Sequence, residues 1–164
     1  APAHPLLGHG SVHAGTIEGG AAPSVYPEFC EVRLERRTLP SEDPAEFEAE
    51  VAEILAGIRL EHPDVSIELE TELVRDGSDV SHDHPGVVGL LAAIEAQGLQ
   101  PRIEGMTAWV DAAFLNAAGI PSICFGPGSI EQAHSADEWV SLLEIETGAD
   151  ILTRFARGFL RLER

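Results

Sequence analysis

Two stretches near the start of the chain alternate apolar and polar residues with the two-residue period of a β-strand. In "SVHAGTIEGG" small or polar residues alternate with apolar ones up to a glycine pair. In "FCEVRLERR" Cys30, Val32, Leu34 and Arg36 take one face, and Phe29, Glu31, Arg33, Glu35 and Arg37 the other. The intervening "GGAAPSVYPE" carries two Gly and two Pro, the chemistry of a hairpin-like connection. The period then lengthens. "SEDPAEFEAEVAEILAGI" offers Ser41 as N-cap, acids in a first turn, and Phe47, Val51, Ile54, Leu55 and Ile58 at helical spacing. Alternation returns in "DVSIELETELV" through Val65, Ile67 and Leu69, which predicts a further strand. Roughly the first 75 residues therefore read as β-β-α-β, an open-faced sandwich.

Beyond the turn-rich "RDGSDVSHDHPG" the pattern changes style. It predicts a helix in "PGVVGLLAAIEAQG", a second in "AWVDAAFLNAAG", a short unbroken apolar strand in "IPSICFG" and a final helix in "LLEIETGADILTRFARGFL". An unbroken apolar strand between helices belongs to a sheet covered on both faces, so the class is α/β. The break near residues 76–84 divides the chain into domains 1–78 and 79–164.

Charge narrows the partners. All ten basic residues are arginine, and against 28 acids they leave a net charge of −18, a field that repels nucleic acid and anionic membrane. Such a lysine-free acidic surface suits a salt-rich cytoplasm or a GC-biased genome, and composition does not separate the two. No apolar run approaches the ~20 residues of a membrane span, and "APAHPLLGHG" has neither a basic nor an apolar leader region, so a cytoplasmic protein is expected. Cys30 and Cys124 stand alone in apolar or alternating runs, which predicts buried free thiols. The chain opens on Ala1 without Met, as though something preceded it, and a fragment is expected.

Candidate chemistry concentrates in "GPGSIEQAHSADEWV". His134 follows a predicted strand and a glycine loop, the end of an α/β sheet where ligands bind. A lone loop histidine is also a common surface hydrogen-bonder. Gly126 and Gly128 permit close backbone approach to an anionic substrate, and Asp137 or Glu138 can hold an imidazole tautomer; the alternative is a plain turn before a helix that favours acids. Arg37 ends a strand with Arg33 and Arg36, where a guanidinium can grip a carboxylate with two bonds or simply join a solvated cationic cluster. Asp111 falls near a helix start, where a carboxylate is favoured without any function; Trp109 beside it is core or pocket wall. His82 and His84 sit in what reads as an exposed turn, and for His13 a cross-strand polar contact suffices.

Together, "GMTAWVDAAFLNAAGIPSICFGPGSIEQAHSADEWV" and "HPLLGHGSVHAGTIEGG…YPEFCEVRLERRTLP" resemble the zinc metallopeptidases and deacylases that include acetylornithine deacetylase, succinyl-diaminopimelate desuccinylase, aminoacylase and carboxypeptidase G. The resemblance spans nearly the whole chain. It implies an incomplete ferredoxin-like β-β-α-β lid or dimerisation domain, followed by the C-terminal α/β segment of a zinc-peptidase catalytic domain. It further implies a hydrolase of N-acyl amino acids or peptides that is a homodimer and carries two zinc ions, with cobalt as a possible substitute. His134 then matches a zinc ligand, Arg37 the substrate-carboxylate arginine, and Gly126 and Gly128 the substrate loop. Ser24 of "SVYP" stands where the family has Asn, and Val110 precedes Asp111 where many members have Thr; the resemblance implies substrate contacts at Ser24 and Asp111. The family's other metal ligands and its general-base Glu belong to an N-terminal half with no counterpart here. No catalytic residue falls in this chain, which alone is expected to be inactive. The alternative is a non-catalytic module that binds a small molecule or dimerises.

Overall fold

The computed structural model describes residues 2–162, with side chains through Leu160. It divides into two compact units, one formed by the residues up to Ser78 with Gly105–Ala113, the other by Asp79–Glu104 with the residues from Phe114 onward.

In the first unit, β1 (Ser11–Gly19) and β2 (Cys30–Arg37) pair as an antiparallel hairpin. Strict alternation along β1 would put Thr16 on the same face as Val12 and Ala14. The register instead slips between Ala14 and Thr16, so that Gly15 is the extra residue of a bulge and Ile17 pairs with Val32. The slip gathers Val12, Ala14, Ile17, Val32 and Leu34 on one face. That face has little cover: Val12 and Leu34 are each 49% exposed and Ile17 is 72% exposed. The other face is ionic. Arg33 donates to Glu31 at 2.6 Å and Arg37 to Glu35 at 2.8 Å, while Ser11 Oγ lies 3.0 Å from His13 Nε2. His13 stands opposite Glu35 in the register, so the cross-strand neighbour expected for it is acidic.

Helix α1 (Pro44–Glu61) starts two residues later than its Ser41 signal implies. Asp43 is the N-cap, accepting from Ala45 N–H, because Pro44 at the first helical position needs no N–H partner. Of its apolar stripe, Phe47, Val51 and Leu55 are half-buried, whereas Ile54 and Ile58 remain exposed. The helix is tied to β2 through one node: Glu42 accepts from Leu39 N–H at 2.7 Å and from Arg36 Nη2 at 2.5 Å, and Arg36 lies over the Phe47 ring. The Leu39 amide, and with it the Arg36 charge, holds the Glu42 carboxyl below its ordinary value of 4.5 against a burial effect of opposite sign. A lowered carboxylate pKa stabilises fully above the unfolded value and is lost as pH falls through the folded one. Chemical denaturation of wild type should therefore show stability falling below about pH 4.5, and Glu42→Gln should flatten that loss. Glu42→Ala, which strands an amide and a guanidinium, should cost about 1–2 kcal/mol at neutral pH.

The strand expected in 64–74 forms no ladder among the described residues. Its alternation is real, yet its tethers are side-chain bonds: Arg59 Nη2 to Ile67 O and Thr71 Oγ1 to Glu48, both toward α1, and Arg33 of β2 to Glu72 at 3.7 Å. Period-two patterning selects an extended backbone; a ladder also requires an open edge in register. Cys30 and Cys124 are free but exposed rather than buried. Cys30 lies at the end of β2 on the sheet face that has little cover among the described residues, and Cys124 lies in a segment that pairs with no strand among them.

The second unit is helical. α2 (Pro85–Glu95) packs on α4 (Leu142–Leu162), and Leu90, Ala93 and Ile151 form its buried core with Ile94, Phe125 and Phe155 against them. Gly89 makes the close approach possible, since a Cβ there would stand 3.3 Å from the Phe155 ring. His84 is not idle: half-buried, it caps α2 by accepting from Gly86 N–H at 3.1 Å. The helix α3 (Ala112–Ala117) begins later than its sequence signal. Gly119, at φ 76°, ends it by allowing Ile120 N–H to reach back to Leu115 O at 2.8 Å.

Candidate metal and substrate site

The reversal at Gly119 brings the next segment back onto α3. The apolar run 120–126, expected as a buried strand, pairs with no other strand among the described residues. Its backbone is satisfied by a side chain instead. Asn116 Oδ1 accepts from Ser122 N–H at 2.7 Å while its Nδ2 donates to Ser122 O at 2.9 Å, the two bonds that a neighbouring strand would make. Three residues on, Phe125 enters the α2–α4 core, so the chain reaches Gly126 with its direction set.

From there the loop runs across α4. Pro127 lies over Gly148, where a Cβ would sit 3.6 Å from the proline ring. Gly128 adopts φ 87°, and its N–H, expected to face substrate, donates to Glu144 Oε2 at 2.9 Å. A Cβ on Gly128 would meet Val140 at 3.4 Å and would hold a conformation L-residues avoid. Gly128→Ala should lower stability by about 1 kcal/mol in a thermal or denaturant melt, whereas Gly126→Ala, with open space at its Cβ, should not.

A single turn of 3-10 helix, Ile130–Gln132, capped by Ser129, then delivers His134. His134 has φ 63°, the one positive value among the described non-glycine residues. Its N–H donates to Glu138 Oε2 at 3.2 Å. This differs from the expectation that Glu138 or Asp137 holds the ring: the left-handed backbone turns the amide, not the imidazole, toward the carboxylate. Among the described residues no hydrogen bond reaches the ring, which is exposed.

Chemically, an exposed, unengaged imidazole on a backbone tied at two points suits a single nitrogen donor to a metal. No group of three or more His, Cys, Asp or Glu that would complete such a site occurs among the described residues. Gly126, Gly128 and His134 thus share one loop. Asp111 is exposed just before α3, within the first unit's 105–113 segment. Trp109 in that segment takes the Arg75 guanidinium over its ring at 5.4 Å.

Arg37 and Ser24 are not brought together. Arg37 lies at one end of β2; Ser24 is exposed in the connecting loop beyond Cys30 at the other end, with about 23 Å of extended strand between Cys30 and Arg37. Glu35 engages Arg37 Nε, and the Arg37 bond followed by its charge holds the Glu35 carboxyl below its ordinary value. Among the described residues, no acceptor occupies the terminal nitrogens of Arg37.

Asn116, Glu138 and Glu144 carry the loop's geometry, and sequence reasoning gave none of them that part. Each looks ordinary locally, and the bonds of Asn116 and Glu144 cross turns that no periodicity reports. Elsewhere in the second unit, a cleft of about 230 Å³ is lined by Asp79, Ser81, His84, Asn116 and Pro121 among others.

The sequence profile of peptidase family M20/M25/M40 matches residues 5–158. The acetylornithine deacetylase of Proteus mirabilis is 27% identical over 160 residues, covering 97% of this chain and 40% of its own length. The aminopeptidase PepT of Bacillus cereus superposes with a TM-score of 0.71 at 19% identity, over 90% of this chain and 39% of that one. The metallo-carboxypeptidase Sso-CP2 of Sulfolobus solfataricus gives 0.65 at 18% identity, over 92% and 36%. The chain spans about two fifths of the length of the relatives it matches. No helix among the described residues is long and apolar enough to cross a membrane.

Proposed function

The chain belongs to the M20/M25/M40 peptidase family, and on that premise we propose that it is the C-terminal part of a two-zinc hydrolase. The enzyme cleaves the amide bond of an N-acyl amino acid or peptide. The observation that carries this reading is His134: a histidine in a strained left-handed conformation, its amide tied to Glu138 and its ring left for another partner. In this reading residues 1–78 are part of a lid and dimerisation domain, and 79–164 the end of the catalytic domain of a cytoplasmic homodimer.

Zinc, or cobalt in its place, supplies Lewis-acid polarisation and a water acidified toward neutral pH when bound. His134 contributes one neutral imidazole donor, and the remaining donors and the general base come from the rest of the protein. Arg37 presents its terminal nitrogens to the substrate carboxylate in a fork while Glu35 holds Nε and fixes the plane of the guanidinium. The loop from Gly126 lets backbone approach the substrate closely, with the Gly128 amide committed to Glu144 and the loop held rigid by it. Asp111, exposed just before α3, is a further candidate contact to the substrate.

The test is hydrolysis of a panel of N-acetyl amino acids and dipeptides by the enzyme as expressed from its gene, with zinc or cobalt added. Turnover that stops on chelation and returns with metal is expected; no turnover of any substrate with either metal overturns the proposal. On the same panel Arg37→Ala should raise KM about 10–100-fold with little change in kcat, the cost of one charge-assisted pair.

A further inference from the structure

Two carboxylates take amides of the loop 126–134: Glu144 from α4, and Glu138 from the irregular segment that precedes it. Glu144, in the first turn of α4, would ordinarily serve its own helix terminus. It reaches back sixteen residues to Gly128 N–H instead. Glu138 takes the amide of His134, the residue whose backbone is least able to hold its conformation unaided. Among the described residues the other hydrogen bonds of the loop are local, from Glu131 N to Ser129 Oγ, Gln132 N to Ser129 O, Ala133 N to Ile130 O, and Ser135 N and Oγ to Gln132 O. Local bonds shape a turn but do not set where it stands on the helix. That placement falls to Glu144, and α4 is a firm base for it because Ile151 and Phe155 anchor the helix on α2; Glu138, four residues after His134 and before α4, acts on the His134 backbone itself.

We propose that Glu138 and Glu144 are positioning residues: Glu144 staples the loop to the first turn of α4, and Glu138 fixes the left-handed His134 backbone, so that the imidazole is presented in one orientation. Neither touches the metal or the substrate; both act through the backbone. The inference rests on the reading of His134 as a zinc ligand for its functional consequence, though the staple itself is a structural statement.

The experiment compares Ala and Gln variants of each residue in the enzyme as expressed from its gene. Three measurements are made: amide exchange at Gly128 and His134, zinc affinity by chelator competition, and exchange of core amides near Leu90 and Ile151 as a folding control. With the core unchanged, the Ala variants should exchange the two amides at least about tenfold faster and bind zinc about 10–100-fold more weakly, as for other groups that orient a metal ligand. The Gln variants, which keep an acceptor oxygen, should recover most of both. Wild-type exchange at Gly128 and His134 in the Ala variants overturns the proposal. So does unchanged zinc affinity in them while His134→Ala loses zinc. If His134→Ala itself retains zinc, the ligand reading falls, and exchange alone decides the staple: released amides uphold it and unchanged ones overturn it.

Discussion

His134→Asn should make the protein slightly more stable and the enzyme inactive. Asn tolerates the left-handed region better than other non-glycine residues, so the change relieves part of the roughly 1–2 kcal/mol that His134 spends at φ 63°, and a melt should rise by about 0.5–1 kcal/mol. The backbone N–H to Glu138 is retained, because the substitution changes only the side chain. Activity should fall at least about a thousandfold, since a metal's contribution to an amide-cleaving transition state is several kcal/mol and each 1.36 kcal/mol is tenfold in rate. Zinc content, measured beside the melt, should drop in the same variant. Opposite signs in stability and activity mark a residue kept for function at a structural cost. A histidine that merely decorated the loop would gain stability on replacement by Asn and lose neither metal nor turnover; unchanged zinc stoichiometry would remove the assignment.

The largest loss of stability should come from the small core of the second unit. Ile151 is 3% exposed and packs with Leu90 and Ala93. Ile151→Ala deletes three buried carbons and leaves a cavity that helices fixed at Gly89 against Phe155 cannot easily close. A cost of about 2–5 kcal/mol is expected, a large share of the roughly 5–15 kcal/mol that holds a typical domain together. For a unit under 100 residues that is a fall in melting temperature of at least about 10 °C. Leu152→Ala, one position along and 47% exposed, should stay within about 1 kcal/mol and serves as the control. Because Phe125 belongs to the same core and Gly126 follows it directly, Ile151→Ala should also loosen the loop before the unit melts, seen as faster amide exchange across 126–134.

The sequence by itself determined the parts that depend on local physics. Alternation in 11–19 and 30–37, with glycine and proline between, was sufficient for a hairpin. Apolar spacing was sufficient for α1, α2 and α4, because a 3.6-residue stripe has few other uses. The density of glycine, histidine and acid in 126–140 marked the loop that holds the candidate site, and the family was legible there because its pattern is contiguous.

Tertiary structure decided whatever needed a partner. Residues 64–74 and 120–126 have strand-like patterns, yet a strand is completed by its neighbour's backbone, and the latter found the Asn116 side chain in that place. The bulge at Gly15 was chosen by pairing with β2, which alone puts Ile17 on the face of Val12. Glu138 was legible as a partner of His134 but not as a partner of its amide, because φ 63° at a histidine is a property of the closed loop, not of the residue. Glu144 was legible only as an acid in a helix's first turn; its bond to Gly128 exists because the core brings Pro127 down onto Gly148 and closes a gap of sixteen residues. Periodicity reports which face a residue takes, and hydrogen bonds across such gaps are set by where packed helices place those faces.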